Sequence, residues 1–499
     1  AMLSLFRYFL FRRERVKFRY EQGRGADPNC SNLISITMPE TITSIGYNAF
    51  SDCGSLSEID IPEAVTIIKD HAYYNCDSAM KLTIPQGVTK IGIRAFSNCD
   101  NIKTISIPSS VETIGENAFS ESNRLESITV AEGNKNYCSS DGVLFDKSMT
   151  ELIQYPLANI RTEYRIPDGI KTIKSYAFAE YYLFAAKNGV KTLIIPGSVQ
   201  TIENDAFHYA RSIEKIVFEG ATIDTIGYSA FSYCENLISI NLPYGLKEIP
   251  SHCFDSCRKL SSITIPESVI SIEYGAFRYT NLDEIILNES LERIGDAVFE
   301  SVQNLKTIKL PAGLVYFGVR VFRYSGIEEI LVDSKNDFFS NDENGVLYNK
   351  DKTVLIQYPL GNERKSFTVP QSVIRIKENA FSNSQELIEV VIPQGVTNIG
   401  AYAFEECYSL YDITIPDTTT SIGYSAFYRC NRLADVYYPG KADQWNDIII
   451  SDRNDALFTA RRHFSYTHQH ILSTQKVSEP NCGKWGLNIY TCACGFTYE

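Results

Sequence analysis

Side chains that commonly carry chemistry are scarce in this sequence, with 6 His, 4 Met and 2 Trp among 499 residues. The histidines do not gather. His71, His208 and His252 are far apart, and the other three lie near the C-terminus. No Ser/His/Asp pattern, phosphate-cradling glycine loop or His-Glu-x-x-His helix is present, so the common nucleophilic, nucleotide-binding and metalloprotease designs are excluded. No apolar run reaches the 18 or more residues of a membrane span. Basic charge is also short, with 47 Lys/Arg against 60 Asp/Glu and a net charge of −13. Seven of those cations (Arg7, Arg12, Arg13, Arg15, Lys17, Arg19, Arg24) stand in residues 1–24 beside two Glu, which leaves 40 Lys/Arg against 58 Asp/Glu on the rest. A body carrying −18 repels a phosphate backbone, which argues against nucleic acid as a partner.

What the chain does have is repetition. Aligned on an Ala-Phe dipeptide, a landmark aromatic falls at Phe50, Tyr73, Phe96, Phe119, Phe178, Phe207, Phe231, Phe254, Phe277, Phe299, Phe322, Phe381, Phe404 and Phe427. The intervals are 23 residues or close to it, broken by one of 29 and two of 59. A period of this size is the signature of a solenoid, in which each unit packs only on its neighbours. A single coil buries too little apolar surface to offset the entropy of ordering it, so the array is stable only as an array.

Each unit reads the same way. In Leu260-Ser-Ser-Ile263-Thr-Ile265-Pro266 the apolar residues suit a short strand with alternate side chains inward. Proline follows at a fixed place, and 13 of the 18 prolines sit in this one column. Lacking an N–H, it ends the strand. A second extended stretch follows, then a glycine (Gly46, Gly92, Gly115, Gly227, Gly295, Gly400, Gly423) expected to turn the chain, then Ala-Phe on a short helical or 3-10 turn.

Leu-x-x-Ile-x-Ile-Pro, Val-Thr-x-Ile-Gly and Ala-Phe-x-x-Cys together resemble the BspA-type leucine-rich repeat, over about residues 26–439. The resemblance implies an α/β repeat fold, a right-handed leucine-rich-repeat solenoid that is β-rich, with a parallel sheet on its concave face. Fourteen coils about 4.8 Å apart would extend roughly 65–70 Å along that sheet.

Both 59-residue intervals hold the same insert, near 130–160 and 332–365: Gly142-Val-Leu-Phe-Asp-Lys through Leu152-Ile-Gln-Tyr-Pro156, and Gly345-Val-Leu-Tyr-Asn-Lys through Leu355-Ile-Gln-Tyr-Pro359. Apolar runs flanking a polar turn read as a β-hairpin, which either covers a seam between coils or protrudes as a contact element. Residues 1–25 fall outside the repeat register and read as a non-native or truncated start, or as a degenerate signal or anchor. Residues 440–465, with Trp445 and Leu457, resemble a closing cap, and an apolar-faced cap is what a terminal coil needs. Residues 466–499 form a small Cys/His tail that reads as truncated. There His470, Cys482, Cys492 and Cys494, with His468 nearby, leave three readings open: a zinc site, a disulfide with a spare thiol, or neither.

Seven of the 13 cysteines (Cys53, Cys76, Cys99, Cys234, Cys257, Cys407, Cys430) stand three residues after the landmark aromatic. Recurring once per coil rather than converging, they read as buried structural thiols. The outward strand positions are the candidate ligand-binding residues: Glu284, Ile286, Thr307, Lys309, Glu329, Leu331, Glu389, Val391, Asp412, Thr414, Asp435 and Tyr437. Acids interleaved with apolar residues on one face suit a protein-binding groove, although strand preference alone also selects Thr there. A row of Tyr beside the turn (Tyr47, Tyr228, Tyr274, Tyr424; Tyr233, Tyr279, Tyr324) is a second candidate surface. The chain reads as a non-catalytic binding protein without a cofactor. The resemblance implies an extracellular or cell-surface adhesion role, with a host matrix or cell-surface protein as ligand. A scaffold displaying another domain and a carbohydrate binder are the alternatives.

Overall fold

The computed structural model describes residues 30–180, 189–220 and 222–465, together with the strands Leu472–Lys476, Asn488–Cys492 and Thr497–Tyr498. Residues 1–25 therefore lie outside the described residues. Two units divide the chain, one running to Val302 and including Tyr316–Val321, the other comprising Gln303–Val315 and everything from Phe322.

Within each unit the chain winds as a parallel β-solenoid, and each coil lends a strand to each of two sheets. The coil around Phe96 is representative. Its longer strand, Lys81–Thr83, alternates exposed and buried side chains and pairs in parallel with Glu58–Asp60, residue for residue. Pro85 then lends its carbonyl to the N–H of Val88 at 3.1 Å, closing a turn that the missing proline N–H cannot extend into the strand. The shorter strand Lys90–Ile91 lies between Ile67–Ile68 and Thr113–Ile114, again parallel. In the second unit the longer strands Ser366–Thr368, Glu389–Val391, Asp412–Thr414 and Asp435–Tyr438 stack the same way.

The Ala-Phe segment is not helical, contrary to the sequence reading. Among the described residues helix is confined to Cys30–Asn32, Ala442–Asn446 and Asp455–Thr459. Left-handed residues two before and two after the landmark aromatic prevent it, as at Asn48 and Asp52 (φ 51° and 61°). Alternate N–H groups consequently point along the stack. Asn48, Phe50 and Asp52 donate to the carbonyls of Asp70, Ala72 and Tyr74 in the next coil, while Ala49, Ser51 and Cys53 bond within their own turn. A left-handed L-residue costs roughly 1–2 kcal/mol, least for Asn and Asp, and the ladder of inter-coil bonds offsets that cost. The glycine column has a different role from the one expected. Gly92 and Gly423 avoid the left-handed region, but a Cβ on either would lie 2.4 Å from the backbone nitrogen of Asp70 or Ala401 in the preceding coil. Glycine is there because the coils approach too closely for any side chain.

Inside, the landmark rings form continuous stacks. Phe50, Tyr73, Phe96 and Phe119 follow one another at 5.0, 5.5 and 6.0 Å with their planes nearly parallel. In the second unit Tyr358, Phe381, Phe404 and Phe427 do so at 5.2, 4.7 and 5.1 Å. The cysteine column lies beside them. Cys76, Cys99, Cys407 and Cys430 are free thiols, each with Sγ 3.0–3.3 Å from the carbonyl of the landmark aromatic in the preceding coil.

Each insert supplies a coil of its own. In the first, Tyr137–Ser140 and Glu151–Gln154 flank Val143–Asp146 in antiparallel fashion, and Glu151–Gln154 then pairs in parallel with Thr172–Ile173. Tyr155 takes the landmark place: its N–H donates to Ala177 and its ring stacks on Phe178 at 4.8 Å. Tyr358 does the same with Ala380 and Phe381. The 59-residue interval is thus 36 plus one ordinary period of 23, which the Ala-Phe alignment concealed because the aromatic there follows Gln. At the C-terminal end, Ile449–Ile450 and Arg461–Phe464 add a last strand to each sheet, over buried Trp445 and Leu457.

Candidate interaction surface

Strand alternation puts the candidate ligand-binding residues on the side of the longer strands facing away from the core. In the first unit Glu284 and Ile286 are both exposed, Ile286 by 53%. In the second unit Thr307 and Lys309 are exposed, and Glu329 and Leu331, their register partners, are half-buried. Thr414 is half-buried as well.

Five residues differ from the reading that they face water: Glu389, Val391, Asp412, Asp435 and Tyr437 are all buried. Alternation assigns a side chain to one face of a strand; it does not say that the face is open, and here both faces are covered. Register arranges these residues in two rows. One runs Ser366, Glu389, Asp412, Asp435, Arg461, and the other Thr368, Val391, Thr414, Tyr437, His463. The closing strand ends both. Arg461 Nη2 and His463 Nε2 lie 2.7 and 2.6 Å from the Asp435 carboxylate, and the His463 ring stacks on Tyr437 at 4.7 Å. Asp412 finds no hydrogen-bond donor for either oxygen. Burial, and then the neighbouring Asp435, push its carboxyl up to about 7.

Where an insert begins, a loop replaces the next long strand. Ile330 N–H donates to Gly345 O at 3.1 Å and Gly361 N–H to Ile327 O at 2.7 Å, which draws three separate stretches around one cleft. The cleft has a volume of about 530 Å³ and is lined by Glu328, Glu329, Glu343, Asn344, Gly361, Asn362, Glu363 and Arg364. Lys306 Nζ holds Glu328 at 3.0 Å. Among the described residues no salt bridge reaches Glu329, Glu343 or Glu363. The sequence reading singled out Glu329 alone; overlaying the two inserts residue by residue would have found Glu343 and Glu363. The equivalent corner of the first insert carries Ser127, Ser140 and Ile160, with an ion pair of 3.0 Å between Arg161 and Asp141.

Polar clusters elsewhere are built for structure. His208, Ser232 and Asp205 come together, but Ser232 Oγ (2.6 Å) and Asp205 Oδ1 (3.7 Å) approach the same ring nitrogen, Nδ1, and Ser232 is buried. A relay needs both nitrogens, one for the nucleophile and one for the orienting acid. Burial, followed by Arg211, lowers His208 to about 4. His252 Nδ1 and Arg278 Nη2 share Asp255 Oδ2 at 3.0 and 2.8 Å. The Tyr row is largely engaged: Tyr233 stacks on Tyr209 at 4.5 Å, and Arg278 and Arg323 lie over Tyr279 and Tyr324. Tyr47, with Lys69 Nζ 5.0 Å from its ring centre, is 62% exposed, and Tyr228, Tyr274, Tyr279 and Tyr424 are exposed as well.

Among the described residues, no three His, Cys, Asp or Glu side chains are placed to hold a metal ion. The candidate ligands His470, Cys482 and Cys494 lie outside the described residues, as does the Cys492 side chain. No described helix is long and apolar enough to cross a membrane.

The two-sheet coil, the proline-ended strand and the aromatic stack meet in one family model, a BspA type leucine rich repeat region, which matches residues 26–141, 150–277, 224–344 and 361–456. The chain belongs to the BspA-type leucine-rich repeat family. No curated protein matches it. Among solved structures it is similar to a leucine rich cell surface protein of Faecalibacterium prausnitzii (22% identity, 64% of this chain and 99% of that one, TM-score 0.43). It is also similar to the pneumococcal vaccine antigen PcpA (19%, 66% and 85%, TM-score 0.46) and to a leucine-rich repeat protein of Bacteroides ovatus (21%, 89% and 86%, TM-score 0.32).

Proposed function

We propose that this BspA-type chain is a non-catalytic binding protein of the cell surface or the secreted fraction. In this reading the solenoid is right-handed and carries the longer strands on its concave face. It takes a protein ligand, of the host matrix or host cell surface, along Thr307, Lys309, Glu329, Leu331 and Thr414 of the second unit, and Glu284 and Ile286 are a separate candidate patch on the first. The acidic corner of the second insert is the main anchor. The observation that carries this reading is the unpaired set Glu329, Glu343 and Glu363. The first insert folds on the same backbone plan with Ser127, Ser140 and Ile160 at these places, so the plan does not need the acids. Carboxylates without structural work, grouped in an open cleft, suit a partner that presents Lys or Arg.

The test compares the intact protein with the triple variant E329S/E343S/E363I, which copies the first insert. Both are measured by surface plasmon resonance against purified extracellular-matrix proteins and a Lys/Arg-rich peptide. The expected outcome is a loss of affinity of at least about tenfold, with a weaker salt dependence in the variant. Equal affinities and equal salt slopes would reject the acidic corner as the anchor. Failure of every matrix protein would reject the ligand class.

A further inference from the structure

Asp412 is a carboxylate that the fold buries and leaves without a partner. Its residue is 1% exposed and neither oxygen receives a hydrogen bond. Its two strand neighbours make the position less comfortable for a charge. Glu389 stands in register on one side and Asp435 on the other, in the same row. Beyond Asp435 the closing strand brings Arg461 and His463, but both bond to Asp435 and neither to Asp412. The adjacent row contributes Val391, Thr414 and Tyr437, none of them a cation. Every described acid in the row except Asp412 has an interaction of its own.

We propose that Asp412 is a protonation switch on the closing end of the second unit: neutral, it lets the strands Asp412–Thr414, Asp435–Tyr438 and Arg461–Phe464 pack as one sheet end; ionised, it loosens them. A buried neutral carboxyl needs no counter-ion, whereas a buried carboxylate beside a second carboxylate is opposed by both desolvation and repulsion. Opening the sheet end lets water reach the charge, and the bonds between Arg461 or His463 and Asp435 are what such an opening breaks. The sign follows from burial raising this carboxyl above its ordinary value of 3.8 to about 7. The folded state then holds a proton that the opened state releases. The contribution is complete below the opened-state value near 4 and is lost as pH rises through 7. The closing strand is therefore tightest in mild acid and loosens above neutrality. This holds whatever the face binds.

Hydrogen exchange of the intact protein, read on the amides of Arg461–Phe464 at pH 5.5 and 8.5 and corrected for intrinsic base catalysis, tests it. Exchange should be about tenfold faster at the higher pH in the parent protein and nearly independent of pH in Asp412→Asn. His463 is the other titratable group on that strand, so His463→Gln is measured alongside and should retain most of the dependence. A flat parent profile overturns the proposal. So does an Asp412→Asn profile as steep as the parent's, or the loss of the dependence in His463→Gln while Asp412→Asn keeps it. Should Asp412→Asn fail to fold, Asp435→Asn serves instead: removing the neighbouring charge eases ionisation of Asp412 and should move the exchange midpoint to lower pH, and an unmoved midpoint rejects the switch.

Discussion

The two inserts of this BspA-type chain are the same device with different rims. In the first, buried Asn134 donates through Nδ2 to Pro108 O and Val111 O and accepts from the N–H groups of Asn136 and Tyr137. In the second, buried Asn336 donates to Pro311 O and Leu314 O and accepts from Phe338 and Phe339. Gln154 and Gln357 each donate to the carbonyl of the following Tyr and to that of Ala177 or Ala380 in the next coil. These buried amide ties between insert and coil are thus kept, while the rim changes from Ser127, Ser140 and Ile160 to three glutamates. Within one chain the pair separates what the fold requires from what it leaves free, and that separation is the basis for assigning the acids to recognition.

The comparison breaks most directly at the asparagines. Asn134→Leu and Asn336→Leu should be equally damaging, because each strands two carbonyls and two N–H groups in the core at once. With roughly 1–3 kcal/mol per unsatisfied buried group, a loss of about 4 kcal/mol or more is expected for either. Thermal unfolding followed by circular dichroism measures it. A large loss in one insert and a small loss in the other would mean that the shared frame is not shared in energy. The glycine column gives a somewhat smaller effect outside the inserts. Gly92→Ala pushes a Cβ against the Asp70 nitrogen, and about 2–3 kcal/mol is expected as overpacking between coils.

How much of this was legible in the sequence follows from what repeats. The strands, the proline column, the ring stack and the thiol column recur at 23 residues, and repetition turns weak local signals into a strong one. The left-handed ladder was not legible, because its positions are filled by Asn, His, Arg, Ser and Tyr in turn. The requirement there is a backbone angle, and no single side chain announces it. The burial of Glu389, Asp412 and Asp435 was hidden for a different reason. Strand alternation has a period of two and fixes direction, while burial depends on what lies above the face, which has no period at all. Asn134 and Asn336 stand eight and nine residues before Gly142 and Gly345, a one-residue offset that hides their equivalence from a fixed-register alignment.

The finest discrimination between the inserts lies in one hydroxyl. Tyr155 and Tyr358 are both buried at the landmark position, but Tyr155 Oη has no partner, whereas Tyr358 Oη donates to Asn362 Oδ1 at 3.5 Å. A buried hydroxyl without a partner costs its desolvation and returns nothing, so Tyr155→Phe should stabilise the fold by about 1 kcal/mol. Tyr358→Phe gives up a long, weak bond and should be neutral to within about 0.5 kcal/mol. Tyr73 is the control outside the inserts, since its hydroxyl is also buried and unpartnered, and Tyr73→Phe should behave like Tyr155→Phe. Chemical denaturation of the three variants decides the matter. If Tyr155→Phe destabilises while Tyr73→Phe stabilises, the first insert makes a use of that hydroxyl which an ordinary coil does not, and the two inserts differ in their interior as well as at their rims.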